Sequence, residues 1–231
     1  MMTRLLSLLL CLTLAVLSGC TTRQGSNASA KTAEPPLCAV IGIDGTGSYE
    51  YLDKAKTTVM KFIQGLPAGS KVYVRWISED SLSDKNAIVS AVLPGMGKPR
   101  NTFDLKARQD YAVSKKKDAQ IKAQVGKVIT AAVSPRAKMT DIYGALYSAG
   151  IRFSANPNLT PLLILLTDMD DNVKKSYPVA LSGAMVMVMD FQVGTDDAKV
   201  RTTWTEYLTK AGAESVQFMS LDEPLTMGRK Q

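Results

Sequence analysis

The sequence predicts a single α/β domain built on a doubly wound, mostly parallel sheet with helices on both faces. Short apolar runs alternate with helical patterns along the chain, and the inner runs, residues 37–43 and 161–166, are hydrophobic throughout. Apolar strands that alternate with helices are typical of parallel sheets covered on both faces. About two hundred residues follow the N-terminal region, which suits one domain with a sizeable core.

The first half of the domain predicts a strand, a helix and two more strands. Residues 37–43 form an apolar strand, and the helix after it stops before Pro67. Residues 71–77 alternate between apolar and polar side chains, which predicts a half-buried strand with Arg75 on its polar side. Residues 87–93 predict a further strand that ends at a Pro-Gly turn. The apolar face of the helix comprises Tyr51, Ala55, Val59, Phe62 and Ile63.

The second half predicts three helices and three strands. A basic stretch runs into the first helix, and the second begins near Thr140. Strands follow at residues 161–166 and 184–191, then a helix at 196–211 and a last strand at 215–221. The apolar positions of the first two helices are Ile121, Val125, Val128, Ile129 and Ala132, and Ile142, Leu146 and Ile151.

The N-terminal region has the pattern of an export signal. A basic start precedes an apolar run at residues 5–17, which is shorter than the ~20 apolar residues of a membrane-spanning helix. The run ends in Leu17-Ser18-Gly19-Cys20, which resembles the lipobox of bacterial lipoproteins. The resemblance implies cleavage before Cys20 and a lipid on that cysteine, with an uncleaved anchor as the alternative. The predicted segments are a signal peptide (1–19), a lipidated tether (20–36), the domain (37–224) and a C-terminal tail (225–231).

The tether is predicted from composition. Residues 21–36 are small and polar without hydrophobic periodicity, so they cannot bury enough apolar surface to fold, and stretched they reach roughly 50 Å. In lipoproteins of two-membrane cells an Asp after the lipidated cysteine often marks inner-membrane retention. Thr21 stands there, so the resemblance implies the periplasmic face of the outer membrane.

Composition excludes several kinds of catalytic and metal site. The chain has no histidine, which excludes Ser-His and Cys-His catalysis and His-ligated zinc or copper. Once Cys11 leaves with the signal and Cys20 carries lipid, Cys38 has no partner for an internal disulfide, and its apolar strand predicts a core residue rather than a reactive thiol.

Polar side chains follow the two most apolar predicted strands. Asp44, Thr46 and Ser48 come directly after the first strand, and Asp168 follows residues 161–166. Thr140 opens a helix between them. Ligands of open α/β sheets bind at the carboxyl ends of the strands, so these oxygens are expected at one edge. Two carboxylates and three hydroxyls suit Mg²⁺, with Mn²⁺ or Ca²⁺ as alternatives.

This arrangement resembles the von Willebrand factor A family and its metal-ion-dependent adhesion site. The family's D-x-S-x-S motif is matched by residues 44–48 with Thr46 in place of the first serine. Its loop threonine is matched by Thr140, and its strand ending in Thr-Asp by Thr167-Asp168. The family usually has glycine next, where this chain has Met169. The resemblance covers residues 37–222 and implies a cation at Asp44, Thr46, Ser48, Thr140 and Asp168.

The same residues also allow other interpretations. Ser48, Thr140 and Asp168 could each cap a helix. Two further interpretations are excluded by the sequence. A haloacid dehalogenase needs a nucleophilic aspartate where Gly42 stands, and an EF-hand needs Gly and Glu where Val173 and Val179 stand. Asp170 and Asp171 are interpreted as rim acids that tune the metal site or belong to a solvated loop.

The net charge of +7 is concentrated in one segment. Residues 98–127 hold nine basic and three acidic side chains, including Lys115, Lys116 and Lys117. A solvated helix face is the plainest interpretation. Contact with anionic lipid is the second, and nucleic-acid binding is disfavoured because no aromatic residues interleave with the basic ones.

The resemblance implies a non-enzymatic binding module in the cell envelope. The cation would hold a Glu or Asp of an envelope protein at an open coordination position. An envelope assembly factor with a silent metal site is the alternative. A hydrolase that activates water at the metal ranks third, with Asp170 as its only candidate base.

Overall fold

The computed structural model describes residues 34–95, 97–99, 101, 103–189 and 197–223. Within them lie six strands and four α-helices, with a short 3-10 turn at Asp84–Asn86. The strands are β1 (Leu37–Asp44), β2 (Lys71–Ile77), β3 (Ala87–Val92), β4 (Thr160–Leu166), β5 (Met185–Met189) and β6 (Ser215–Met219). The helices are α1 (Leu52–Gly65), α2 (Leu105–Ala131), α3 (Ile142–Ser154) and α4 (Asp197–Lys210). The predicted signal peptide, the tether before residue 34, Cys20 and the tail 225–231 lie outside the described residues.

The strands form one sheet in the order β3-β2-β1-β4-β5-β6. All neighbours are parallel except β3, which runs antiparallel to β2. This confirms the predicted α/β fold with a mostly parallel sheet. The order runs outward from β1 through β2 and β3, then returns to the other side of β1 with β4. The strand order therefore switches between β1 and β4, where open sheets of this class bind ligands.

Helices cover both faces of the sheet. Along β1, alternate side chains enter two separate cores, one beneath α1 and α2 and the other beneath α3 and α4. All eight residues of β1 are buried, because neighbours lie on both edges and helices on both faces. The predicted elements all appear, with bounds that differ by a few residues where both are described.

Four of the predicted exposures are wrong. Arg75 was placed on the polar side of a half-buried strand, but it is only 7% exposed because α3 covers that face. Its guanidinium donates to Ser148 Oγ at 2.5 Å and to the Ser83 carbonyl at 2.9 Å. Burial lowers the pKa of Arg75. The helical spacing puts Tyr51, Val128 and Ile151 on apolar helix faces, yet all three are exposed.

Cys38 is fully buried in the core beneath α3. Burial raises the pKa of its thiol to about 11, although Lys71 and Arg152 act in the opposite direction. The thiol is therefore protonated at neutral pH and unreactive, as expected for a small core residue.

Helix α2 is far longer than its contact with the domain. It runs antiparallel to α1, and lysines from each helix bond to carbonyls at the end of the other. Lys122 donates to the Gln64 and Leu66 carbonyls at the end of α1, and Lys56 donates to the Ala132 carbonyl just after α2. Residues 105–121 precede this contact, and none of them is buried. In the described part of the chain, no helix is both long and apolar enough to span a bilayer.

Candidate metal centre

The candidate site lies where β1 and β4 end side by side. Ile43 pairs with Leu166, so Asp44 and the Thr167-Asp168 pair follow at the same edge. We call this the carboxyl edge of the sheet, and the opposite edge, where the parallel strands begin, the amino edge. Asp44 is 2% exposed, and the topology alone brings it near Asp168.

Two hydrogen bonds fix the Asp44 carboxylate. The Thr46 amide donates to Oδ1 at 2.9 Å, and the Thr167 hydroxyl donates to Oδ2 at 2.8 Å. Each carboxylate oxygen has two acceptor positions, so one bond to each leaves both oxygens able to bind a cation. Thr167 therefore positions this carboxylate. From the sequence, Thr167 could be identified only as part of the Thr-Asp pair at the end of a strand.

The loop after β1 brings two hydroxyls together and is clamped in place. Thr46 Oγ1 and Ser48 Oγ lie 3.3 Å apart. The Gly45 amide donates to the Ile77 carbonyl at 2.9 Å, and the Gly47 amide donates to the Ala137 carbonyl at 3.1 Å. A side chain at Gly45 would not fit, since a Cβ there would lie 2.9 Å from Pro135 Cγ.

The helix-capping alternatives are all excluded by the described structure. Tyr51, rather than Ser48, is the N-cap of α1, and no side chain caps that helix. Asp141, rather than Thr140, caps α3, with Oδ1 accepting from the Gly144 amide at 2.8 Å. No helix follows Asp168 within the described residues 167–184. These three polar residues are therefore free of a capping role.

Thr140 is held at the carboxyl edge by the loop after β4. Its amide donates to Asn172 Oδ1 at 2.7 Å, and the Asn172 amide donates back to the Thr140 carbonyl at 3.2 Å. The residue is 4% exposed. Ala137, three residues earlier, forms a bridge with Thr46. The structure thus brings the Thr140 segment to the loops that carry Asp44 and Asp168.

Asp168 is near a second negative charge. The Asp170 amide donates to its Oδ1 at 3.0 Å. Although the residue as a whole is exposed, partial burial of the carboxyl group raises the pKa of Asp168, and the Asp44 carboxylate raises it further. A divalent cation between the two would relieve this repulsion.

The two predicted rim acids differ in role. Asp171 accepts hydrogen bonds from the Ile142 amide at 2.7 Å and the Lys174 amide at 3.1 Å. Its carboxylate therefore supports the start of α3 and the turn formed by residues 171–174. Asp170 is exposed beside Asp168. In the described part of the chain no three His, Cys, Asp or Glu side chains converge on one point. A cation here would depend on hydroxyls and water as well as carboxylates, which suits Mg²⁺ or Mn²⁺.

Met169 stands at the position where the von Willebrand factor A family usually has glycine. Its backbone adopts a conformation that is typical of glycine. Its φ is +63°, a left-handed conformation that costs a non-glycine residue about 1–2 kcal/mol. The side chain is nevertheless 2% exposed in the core beneath α3 and α4, and the carbonyl accepts from Trp204 Nε1 at 3.0 Å. The loop around Asp168 thus keeps a glycine-like backbone, and the hydrogen bond from Trp204 to the Met169 carbonyl ties it to α4.

We expect Met169→Gly to destabilise the domain, because two effects oppose each other and the larger one is lost packing. Relief of backbone strain favours glycine by about 1–2 kcal/mol, whereas removing a buried methionine costs about 2–5 kcal/mol. A net loss of about 1–3 kcal/mol in the free energy of unfolding, measured with urea, is the expected result. Met169→Ala keeps the strain and loses the packing, so it should be less stable still. An alanine variant more stable than the glycine variant would contradict the assigned strain.

An open cleft of about 640 Å³ adjoins the site at Met169 and Asp170. Its aromatic wall was not anticipated from the sequence. The Tyr143 ring of α3 lies 5.3 Å from the Trp204 ring and 5.0 Å from the Tyr207 ring of α4, measured between centroids. The cleft borders the connection between β4 and β5, which contains no helix in residues 167–184. Lys174, Lys175 and Ser176 of this connection line its other side.

The position that a dehalogenase nucleophile would need is closed. Gly42 lies within β1, and a Cβ there would be 3.0 Å from two carbons of Ile77. An aspartate at this position would collide with the core, so the glycine is explained by packing.

No protein-family model matches the sequence, and no curated protein matches it. Several solved structures are similar in fold at low identity. A von Willebrand factor type A protein from Catenulispora acidiphila is 17% identical over 82% of this chain and 39% of its own, with a TM-score of 0.49. Proximal thread matrix protein 1 from the mussel byssus, with a zinc-occupied MIDAS motif, is 15% identical over 83% and 46%, with a TM-score of 0.48.

A third similar structure is an aerotolerance-related membrane protein from Bacteroides fragilis. It is 14% identical over 80% of this chain and 91% of its own, with a TM-score of 0.47. The chain spans less than half the length of the first two of these proteins. All three likenesses concern the arrangement of helices and strands.

Proposed function

We propose that this chain is a lipid-anchored envelope protein whose von Willebrand factor A-like domain binds a divalent cation and, through it, an acidic side chain of a protein partner. The observation that carries the proposal is the Asp44 carboxylate, held by Thr46 and Thr167 at the switch point of the sheet. Beside it lie the Thr46 and Ser48 hydroxyls and the second carboxylate, Asp168.

The proposed cation is Mg²⁺, with Mn²⁺ or Ca²⁺ as alternatives. Asp44 and Asp168 supply negative charge, and hydroxyls and water complete the coordination. A position that water holds is one that an outside ligand can take. A Glu or Asp of the partner would add the third negative charge. The metal supplies the attraction, and the chain's own loops orient the ligands.

The cleft beside Asp170 offers surface for the residues that flank this acidic side chain. Tyr143 and Tyr207 can pack against apolar groups and still hydrogen-bond at their hydroxyls. The predicted anchor at Cys20 confines the domain to a membrane surface. A partner in the same layer would therefore meet the domain at a high local concentration, so a high intrinsic affinity would not be needed. The role we propose is binding rather than catalysis.

Calorimetric titration with MgCl₂ and MnCl₂ tests the metal site in a chain that begins at Thr21, which retains every described element. Heat with one ion bound per chain, abolished by EDTA, is the expected result. No heat and no thermal shift would overturn the metal proposal and favour the assembly factor with a silent site.

Water-proton relaxation tests the open position once Mn²⁺ is bound. A water on protein-bound Mn²⁺ enhances relaxation, and acetate that replaces this water should reduce the enhancement. A reduction by acetate but not by neutral acetamide supports an acidic ligand. An unchanged signal would leave a metal site but remove the proposed role for the partner's carboxylate.

A further inference from the structure

The first half of α2 projects away from the domain at the amino edge. Lys122 lies level with the end of α1, since it bonds to the Gln64 and Leu66 carbonyls. Seventeen residues, 105–121, continue beyond that level, which corresponds to about 25 Å of helix. We call this segment the overhang. None of its residues is buried, and only Ile121, at its inner end, is among the described apolar residues packed against the core, so the domain does not account for most of its length.

The far end of the overhang is apolar and exposed. Phe103 is 88% exposed and Leu105 is 70% exposed. Asp104, between them, caps the helix by accepting from the Ala107 amide at 2.9 Å. We call Phe103 and Leu105 the tip. Two large apolar side chains held in water by a capped helix end indicate a surface that is covered when the protein works.

Basic residues are frequent in the sequence that flanks this apolar tip. The sequence from residue 98 to 121 holds seven basic and three acidic residues. Two of the three acids are already engaged, Asp104 as the helix cap and Asp118 in an ion pair of 3.0 Å with Lys122. Lys106 and Arg108 are exposed within one turn of Leu105. An apolar end with cations directly behind it matches the order of layers in an anionic bilayer, acyl chains and then headgroups.

The chain before the domain leaves from the same edge as the overhang. The Pro36 carbonyl accepts from the Thr160 amide at the start of β4, so residue 34 lies at the amino edge. Thirteen residues lie between it and Cys20, and the fourteen Cα–Cα steps can span at most about 50 Å. The tip, about 25 Å beyond the edge, is therefore within reach of the membrane that would hold Cys20.

We propose that the overhang is a membrane-contact device, in which Phe103 and Leu105 enter an anionic lipid surface and Lys106 and Arg108 bind its headgroups. Lys115, Lys116 and Lys117, which the sequence singled out, lie about 15 Å or more from Leu105 along the helix. This exceeds the Debye length of about 8 Å at physiological salt, so they contribute weakly. The proposal concerns the amino edge and is independent of the metal site.

Vesicle binding by the chain that begins at Thr21, which has no lipid, tests the proposal. The chain should bind vesicles of phosphatidylcholine with phosphatidylglycerol, bind pure phosphatidylcholine far more weakly, and lose binding as salt rises. Neutralising Lys106 and Arg108 together, as Lys106→Gln and Arg108→Gln, should weaken binding about fivefold per charge. The matched pair Lys115→Gln and Lys117→Gln should weaken it less than about twofold.

A second pair of variants separates insertion from charge attraction. Phe103→Ser with Leu105→Ser should weaken binding at least about tenfold, because both side chains lose acyl contact. Val113→Ser is the control, since Val113 is 68% exposed but lies eight residues further along the helix. All these residues are exposed, so circular dichroism should show the fold intact. Unchanged binding by the tip variant, or tighter binding to a single-stranded oligonucleotide than to anionic vesicles, would overturn the proposal.

Discussion

Asp44→Asn should weaken Mn²⁺ binding by at least about 100-fold while leaving the domain folded. The substitution removes one of two carboxylates facing the proposed cation, and even residues that only support metal ligands change affinity by about 10–100-fold when mutated. The amide oxygen can still accept from the Thr46 amide, and the amide nitrogen can donate to the Thr167 hydroxyl. The free energy of unfolding without metal should therefore change by less than about 1 kcal/mol.

Asp170→Asn is the matched control for this prediction. It removes the same charge from the same edge, but Asp170 is exposed beside the proposed ligands rather than among them. Calorimetric titration of both variants should give a change of less than about threefold for Asp170→Asn. Equal losses from the two variants would show that general electrostatic attraction, and not a site at Asp44, holds the cation.

Two glycines inside helices should respond to alanine with opposite signs. At Gly150 of α3, a Cβ would lie 2.5 Å from the carbonyl oxygen of Ala180. Backbone atoms cannot move aside as side chains do, so Gly150→Ala should cost about 1–3 kcal/mol. At Gly126 of α2, a Cβ would lie 3.8 Å from Met60 Sδ, an ordinary contact. Gly126→Ala should therefore stabilise by about 0.5–1 kcal/mol through helix propensity.

Urea denaturation of the two glycine variants measures both free energies under the same conditions. A Gly150→Ala variant as stable as the wild type would show that the β4–β5 connection does not pack against α3 as described. A destabilising Gly126→Ala would place α1 closer to α2 than the structure does.

The helices and strands follow from local pattern, and so does the position of the site. β1 and β4 could be recognised as buried strands from their continuous apolar residues, and the polar residues after them then fall at one edge of a parallel sheet. What local pattern could not show is how distant segments cover each other. Arg75 is buried because α3 covers it, and Ser148 of that helix, seventy-three residues later, accepts its hydrogen bond. No periodicity within β2 contains that information.

The same limit applies to the cleft and to Met169. A helix is the usual connection between parallel strands. The sequence predicts none between residues 166 and 184, and the structure has none there, but no local pattern indicates the aromatic cleft beside this connection. The left-handed backbone at Met169 also has no signal in its own residue type, since methionine rarely adopts it. Its burial against α4 supplies the compensating stability.

The length of α2 determines how far the carboxyl edge would stand from the membrane. Its first residue, Leu105, is part of the tip. Just beyond its last residue, the Ser134 hydroxyl donates to the Gly45 carbonyl in the loop after β1. Twenty-seven helical residues make a strut of about 40 Å. With the tip at the headgroups, the carboxyl edge stands about that far from the bilayer and faces away from it. Under the proposed function, a partner would have to present its acidic residue at this distance from the membrane, so inserting or deleting helical turns in the overhang should change which partners come within range.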